Sequence, residues 1–332
     1  MAVTSNAGLD LERRIAARVR SAPRAPRSGW RSRISRWDVK YTPYLLISPF
    51  FIIFTIFGLY PLLYNGYVSL RTWRLDDPAG DGWAGLGNYR QLLTDTDFRD
   101  ALVNTFGIFL LSTIPQLFLA LIVASVLNRR LRMRTTLRVG VLLPYITPLA
   151  ASTLVFASIF ARDAGVVNSL ISALGFTGPD WQEDKYFSWV AIAIMVNWRW
   201  VGYNALIYLG AMQSVPRDLY EAASLDGASA WQQLWKITVP MIRPTLIFTI
   251  VLSTIGGMQL FTEPLLFNKQ IRDATGGSDG QFNTVALMIY KTGWKDLNLG
   301  YAAAMAWALF FVILLLAGLN AFIANRRVAG GK

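Results

Sequence analysis

The chain has 332 residues, of which 54% are apolar, and a formal net charge of +12. It holds no cysteine and no histidine, which excludes a disulfide framework, a thiolate metal site, the commonest general base and the commonest metal ligand. No catalytic, metal-binding or cofactor-binding constellation is expected, and the chain does not read as an enzyme.

Charged side chains nearly vanish from six intervals, 44–70, 102–127, 139–161, 187–212, 244–267 and 300–324. A helix needs roughly 20 mostly apolar residues to cross the hydrocarbon core, and backbone cannot face lipid unpaired. The expected fold is therefore all-α, a polytopic membrane protein with six transmembrane helices. The domain plan is a basic tail over 1–43, a six-helix membrane domain over 44–325 with a long loop at 213–243, and a short tail over 326–332.

In chain order, the tail carries ten Lys or Arg between Arg13 and Lys40, and the apolar run after it is too long for a cleavable signal. Arg13, Arg14, Arg18 and Arg20 fit a short amphipathic helix. Beside a membrane span, such a tail points to anionic lipid and not to nucleic acid. The 71–101 segment has more acids than bases, and its Asp76-Asp77-Pro78-Ala-Gly80 run reads as a turn. The next loop carries Arg129, Arg130, Arg132, Arg134 and Arg138 without an acid, whereas 162–186 is again acidic. With Arg326, Arg327 and Lys332 at the end, the excess of cations places both termini on the cytoplasmic side. Pro115, Pro144 and Pro148 are expected to kink their helices.

Polar groups at membrane depth face a bundle interior or an aqueous path. The fourth interval holds Asn197-Trp198-Arg199-Trp200 and Tyr203-Asn204, with Arg199 about 18 Å from the outer end at 1.5 Å per residue. Amides, a charge and flat aromatic faces are what a sugar needs; an Arg paired within the bundle and an Asn packed between helices are the alternatives. In the fifth interval Gly256-Gly257 permits close approach, and Gln259 and Glu263 fall at i and i+4 on one expected helix face. Glu263 as an exposed anchor near the outer end is the competing reading. Thr254 and Gln116 are lesser polar positions able to bond their own backbone.

The 213–243 loop is about thirty residues long, more than neighbouring helices need. Pro216 and Asp218 mark a helix start with an N-cap carboxylate, Leu219, Ala222 and Ala223 share a face, and Gly227 permits a reversal. A second helix is expected to place Trp231, Leu234 and Trp235 on one face and to end at Pro240.

These residues carry a resemblance. Glu221-Ala222-Ala223, Gly227 four residues later, and Ile237-Thr-Val-Pro240 closing the loop are similar to the EAA motif of bacterial ABC importer permeases, with Val239 where the family has Leu. Leu86-Gly-Asn-Tyr89, Tyr60-Pro61, Leu143-Pro144, Thr275-Gly-Gly277 and Gly300-Tyr-Ala-Ala303 extend it to the maltose, lactose and glycerol-phosphate subgroup; Ser278 stands where that subgroup often has Pro. The resemblance implies a type I ABC importer permease fold. It also implies that Glu221, Ala222, Ala223, Asp226, Gly227, Ile237 and Pro240 seat on an ATPase. The implied partners are a second homologous permease, two ATP-binding-cassette ATPase subunits, an extracytoplasmic solute-binding protein and a di- or oligosaccharide cargo. The chain lacks Gly-x4-Gly-Lys-Ser/Thr, so ATP is expected on the partner ATPase. An ion-coupled secondary transporter would show inverted repeats, and no internal duplication is evident. A membrane transferase would need a carboxylate pair, for which Asp76-Asp77 is the nearest candidate.

Overall fold

The computed structural model of the chain describes residues 30–129, 132–267 and 275–329. Arg13, Arg14, Arg18, Arg20, Arg130 and Lys332 lie outside the described residues. The chain divides into two compact units, Met1–Leu63 and Tyr64–Lys332.

In the first unit, α1 (Trp30–Phe54) takes both Pro43 and Pro49 in its interior and passes through a π-type turn, Thr55–Leu59, into the start of α2 (Tyr60–Val68). Residues 30–43, expected as tail, are thus already helical. Phe50, Phe51, Ile53 and Phe57 are exposed, and an apolar helix without protein cover is what contact with lipid demands.

The second unit holds α3 (Gly87–Thr94), α4 (Thr96–Leu127), α5 (Arg134–Ile146), α6 (Leu149–Ile159), α7 (Val166–Ala173), α8 (Lys185–Met212), α9 (Arg217–Leu225), α10 (Ala230–Gln233), α11 (Val239–Met241), α12 (Arg243–Met258), α13 (Thr262–Phe267), α14 (Val285–Tyr290) and α15 (Leu299–Ala329). Four spans are continuous, Tyr41–Val68, Thr96–Leu127, Lys185–Met212 and Leu299–Asn320. Two more are bent pairs: α5 with α6 at 86°, and Ala230–Met241 with α12 at 78°. Six spans result.

The third span departs from the single kinked helix expected over 139–161. Thr147 precedes Pro148 and is driven to an extended ψ of 136°, the conformation a following proline imposes, and the chain turns before α6 begins. The fifth span departs too. α12 stops at Met258, Gln259 takes a non-helical conformation, and α13 restarts at Thr262. Gln259 and Glu263 therefore do not share one helical face. The Gly256-Gly257 pair weakens the end of α12, and Pro264 has no N–H to continue a hydrogen-bond ladder but fits a first turn.

Aspartates fix where α4 and α8 begin. Asp95 caps α4 by accepting from the N–H groups of Asp97 and Phe98 at 2.8 and 3.1 Å, and Asp184 caps α8 at 2.9 and 3.1 Å; orphan N–H groups at helix starts are satisfied this way. The motif residues after the first span hold a loop together. Asn88 donates to the Ser69 and Arg71 carbonyls, both at 2.9 Å, and a Cβ on Gly300 would lie 2.1 Å from the Arg71 oxygen. Asp77 caps a short 3₁₀ turn, Pro78–Gly80, so the Asp76-Asp77 pair sits in a turn as its sequence indicates.

In lipid, helices associate through close packing of small residues, and α4, α5 and α8 follow that rule. Ala120, Ala124 and Ala205 are fully buried between them. A Cβ on Gly202 would stand 1.8 Å from the Val141 carbonyl oxygen, so α5 and α8 touch backbone to backbone. Gly202→Ala is expected to lower the thermal midpoint of the detergent-solubilised protein, at a cost of about 1–3 kcal/mol for overpacking. Gly210→Ala on the same helix, where a Cβ meets nothing within 4 Å, should leave it unchanged or raised; thermal size-exclusion profiles compare the two.

Candidate functional site

A cavity of about 460 Å³ lies where the two broken spans meet α4 and α8. Its α8 wall presents Arg199, Trp200, Tyr203 and Asn204, and the break before α13 presents Gln259 and Glu263. Small-molecule sites commonly span roughly 300–1,000 Å³.

Arg199 is fixed by the break in the third span. The end of α5 leaves the Thr147 carbonyl without a helical partner, and Arg199 donates an N–H to it at 3.0 Å. The guanidinium sits 5.6 Å from the Tyr145 ring centre, a cation–π distance. One donor of five is thereby used on backbone, so an internal structural bond and a place on the cavity wall coexist in one residue. Tyr145 stacks on Tyr203 at 4.6 Å and meets Trp200 edge-on at 5.2 Å. Three aromatic rings from α5 and α8 thus form one wall. Tyr145 is missing from the residues singled out in the sequence, although its place two residues before Thr147-Pro148 marks it as lying at a break.

Glu263 is 5% exposed, so it is no surface anchor. Gln116 is buried and donates to the Ser253 hydroxyl at 3.4 Å. Asn204 is 4% exposed, and its Nδ2 has no hydrogen-bond partner; a buried unmet donor costs about 1–3 kcal/mol. Such a cost is relieved when the side chain turns to a bound hydroxyl or water in the cavity it borders. Of the paired glycines, Gly257 faces Phe109 with its missing Cβ 2.7 Å from the ring, while Gly256 has nothing within 4 Å and borders the cavity.

Asn197 and Trp198 lie on a different face of α8. The Asn197 amide donates to the Ala193 and Ser112 carbonyls at 2.7 and 3.2 Å, pinning α8 to α4, and Trp198 packs edge-on against Phe156 at 5.3 Å. Both border an apolar groove with Pro115 and Val141, not the polar cavity. Thr254 bonds its own backbone at Ile250, 2.8 Å away.

The second feature is a helical hairpin. α9 has no buried residue; Leu219 is exposed and Leu225 is 90% exposed. Pro216, not Asp218, occupies the N-cap position, and Asp218 stands in the first turn, because Pro pre-sets the φ of a helix start. Gly227 turns the chain at φ +78°, a conformation that favours glycine. Ser229 and Gln232 then close a capping box. Trp231 and Trp235 meet edge-on at 5.5 Å and face outward, whereas Leu234 is buried with Met212, Val215 and Ile242; the three do not share a face. The helical path does not end at Pro240: a π-type turn, Leu234–Thr238, leads into α11, which contains Pro240, and the chain bends at Ile242 directly into α12. The Tyr220 and Thr238 hydroxyls bond at 2.9 Å and tie the two arms. Glu221, Ala222, Asp226, Gly227 and Pro240 are exposed, and Ala223 and Ile237 are half-buried.

The 275–283 loop folds against the N-terminal ends of α4 and α8. Gly276, Gly277 and Gly280 all have positive φ, Asn104 donates to the Gly280 and Asn283 carbonyls at 2.8 and 3.0 Å, and the Ser278 hydroxyl donates to the Glu183 carboxylate. Ser278 thus supplies a side-chain tie at the place where the subgroup often has proline.

Residues 100–329 match the family described as the binding-protein-dependent transport system inner membrane component. The chain is 34% identical to the lactose transport system permease protein LacF of Rhizobium radiobacter, across 86% of this chain and 94% of the relative. It is 31% identical to the arabinooligosaccharides transport system permease protein AraP of Halalkalibacterium halodurans, across 83% and 85%. A chain of a bacterial ABC transporter involved in the import of the acidic polysaccharide alginate has the same fold, with a TM-score of 0.74 at 21% identity, covering 88% of this chain and 98% of that one.

Proposed function

The chain belongs to the family of binding-protein-dependent transport system inner membrane components, the permease subunits of ABC importers, and from that membership we propose that it conducts a di- or oligosaccharide through the cavity beside Arg199. The observation that carries this reading is the cavity's composition: amides, an Arg and a Glu line it beside a wall of three aromatic rings. Relatives named for lactose and arabinooligosaccharide transport support a sugar of that size.

The basic tail, the Arg-rich 129–138 segment and the C-terminus lie in the cytoplasm, where such charge collects, and the hairpin at 213–243 shares that side. Its exposed α9 face, with Glu221, Ala222, Ala223, Asp226 and Gly227, seats on an ATP-binding-cassette ATPase, while Ile237 and Pro240 belong to the arm that passes the movement on. ATP binds there and not on this chain. A second permease completes the path, two ATPases drive it, and a solute-binding protein delivers the sugar from outside.

On this reading the drive has a route. Movement of the hairpin is carried by the α10–α11 arm into α12 across the bend at Ile242, and the far end of α12 is the cavity wall at Gly256 and Gln259. Pushing one end of α12 therefore displaces Gln259 and Glu263 relative to Arg199, and the cavity changes side. The breaks at Thr147 and Gln259 leave irregular backbone at membrane depth, which is tolerated where it lines a cavity.

The cysteine-free background provides a test. Gly256→Cys places a thiol where a Cβ has open space. In the purified complex its modification by a small maleimide is expected to block ATP-driven uptake, and saturating oligosaccharide delivered by the binding protein should slow the modification several-fold. Unchanged modification with sugar present, together with full uptake by the modified protein, would place the path elsewhere.

A further inference from the structure

We propose that α7, in the segment between the third and fourth spans, is an interfacial helix whose outer edge is embedded in the lipid headgroup and upper acyl region. By sequence the 162–186 segment is an acidic external loop, and the transport reading assigns it no role.

The acids are confined to its ends. From Ala164 to Pro179 there is no charged residue. Arg162 and Asp180, on either side of that stretch, form an ion pair at 3.0 Å that closes its base. Within it, α7 is apolar on two sides. Val167 and Ile171 pack on the core cluster that contains Phe160, Trp181 and Ile192. Val166, Leu170 and Leu174 fall at i, i+4 and i+8 on another side, 58%, 62% and 76% exposed, and Phe176 beyond the helix is 70% exposed. The inward side is firmly held: Asn168 donates to the Arg162 and Pro179 carbonyls at 2.9 and 3.0 Å and accepts from the Trp181 indole at 2.8 Å. The exposed edge is therefore a fixed face and not a loose turn.

Its depth follows from what it is tied to. The segment starts where the third span ends, at Ile159, and finishes where the fourth begins, at Lys185, so both of its ends lie at one membrane boundary. Trp181 folds the segment down onto that boundary, with its ring 4.9 Å from Phe160 and 5.5 Å from Phe187. Tyr186 and Phe187 at the start of α8 are exposed, as aromatic residues at headgroup level are. The third span that leads into α7 is itself exposed and apolar at Leu154 and Val155 of α6. A contiguous apolar edge facing water is uncommon; a short helix with one edge in the interface and none of its residues charged is accommodated in lipid by burial of that edge alone. Such an anchor fixes the outer end of the broken third span against the bilayer while the inner end moves.

Site-directed spin labels in the cysteine-free chain test this, with the co-purified transporter complex in phospholipid nanodiscs. Labels at Leu170→Cys, at Leu154→Cys as the lipid reference and at Asp163→Cys as the aqueous reference are compared by their collision rates with oxygen and with a water-soluble nickel chelate. The label at 170 is expected to favour oxygen over nickel several-fold more than the label at 163, approaching the label at 154, and to be unaffected by added binding protein. A ratio matching that at 163 would put the edge in water. Protection from both reagents, or immobilisation on adding the binding protein, would make it a protein contact; either result overturns the proposal.

Discussion

Glu221→Lys is expected to abolish ATP-driven uptake while leaving the chain folded and inserted. Glu221 is exposed on α9, the helix in which no residue is buried, so reversing its charge disturbs no internal contact and surface changes of this kind usually cost within about 0.5 kcal/mol. Its effect falls on whatever the hairpin seats against. A carboxylate turned into an ammonium inside a close interface costs several kcal/mol through like-charge juxtaposition, enough to release a partner subunit. Gly227→Val gives the same loss by another route: a β-branched residue at φ +78° is strained, and the two arms can no longer meet at the same angle. The check is uptake in membrane vesicles, with permease abundance measured on the same samples. Normal uptake by Glu221→Lys would remove the hairpin from the drive.

Arg199→Leu is the second large effect, a fall in uptake of at least about tenfold with the ATPase still bound. Hydrogen bonds to charged groups contribute about 1.5–3 kcal/mol, and each 1.4 kcal/mol is a factor of ten. The substitution removes the cation that lines the cavity together with Glu263, the ring contact with Tyr145 and the donor to the Thr147 carbonyl. Arg199→Lys keeps the charge but loses the planar fork and its stacking, so intermediate uptake is expected. Equal uptake by all three proteins, at equal abundance, would make Arg199 a structural residue only.

The broad plan was legible because lipid imposes it: charge-free intervals of the right length leave few structures other than helices. The loop was legible for the same kind of reason, since Gly227 and the residues around it write a reversal into the chain. What escaped were the places where a span is not one helix. Gln259 and Glu263 stand four apart in sequence, and a periodicity argument joins them on one face; the stop at Met258 separates them onto a turn and a new helix. Asn197 and Arg199 are two residues apart, so a helix sends them to different sides, and only the packing of α8 on α4 decides which side holds the cavity. Tyr145 belongs to the site because the chain breaks at Thr147-Pro148, a consequence of tertiary fit as much as of proline. Leu234 and its neighbouring tryptophans were separated by the same cause, the burial of one side of the arm against Met212 and Val215.

The most direct test of the central claim is to purify the tagged chain from its native membrane in mild detergent, identify what accompanies it, and assay the reconstituted preparation for sugar uptake. The account predicts a second six-span permease and an ATPase, uptake only with ATP and binding protein, and loss of the ATPase on Glu221→Lys. A chain recovered alone that moves sugar in liposomes without ATP would contradict it.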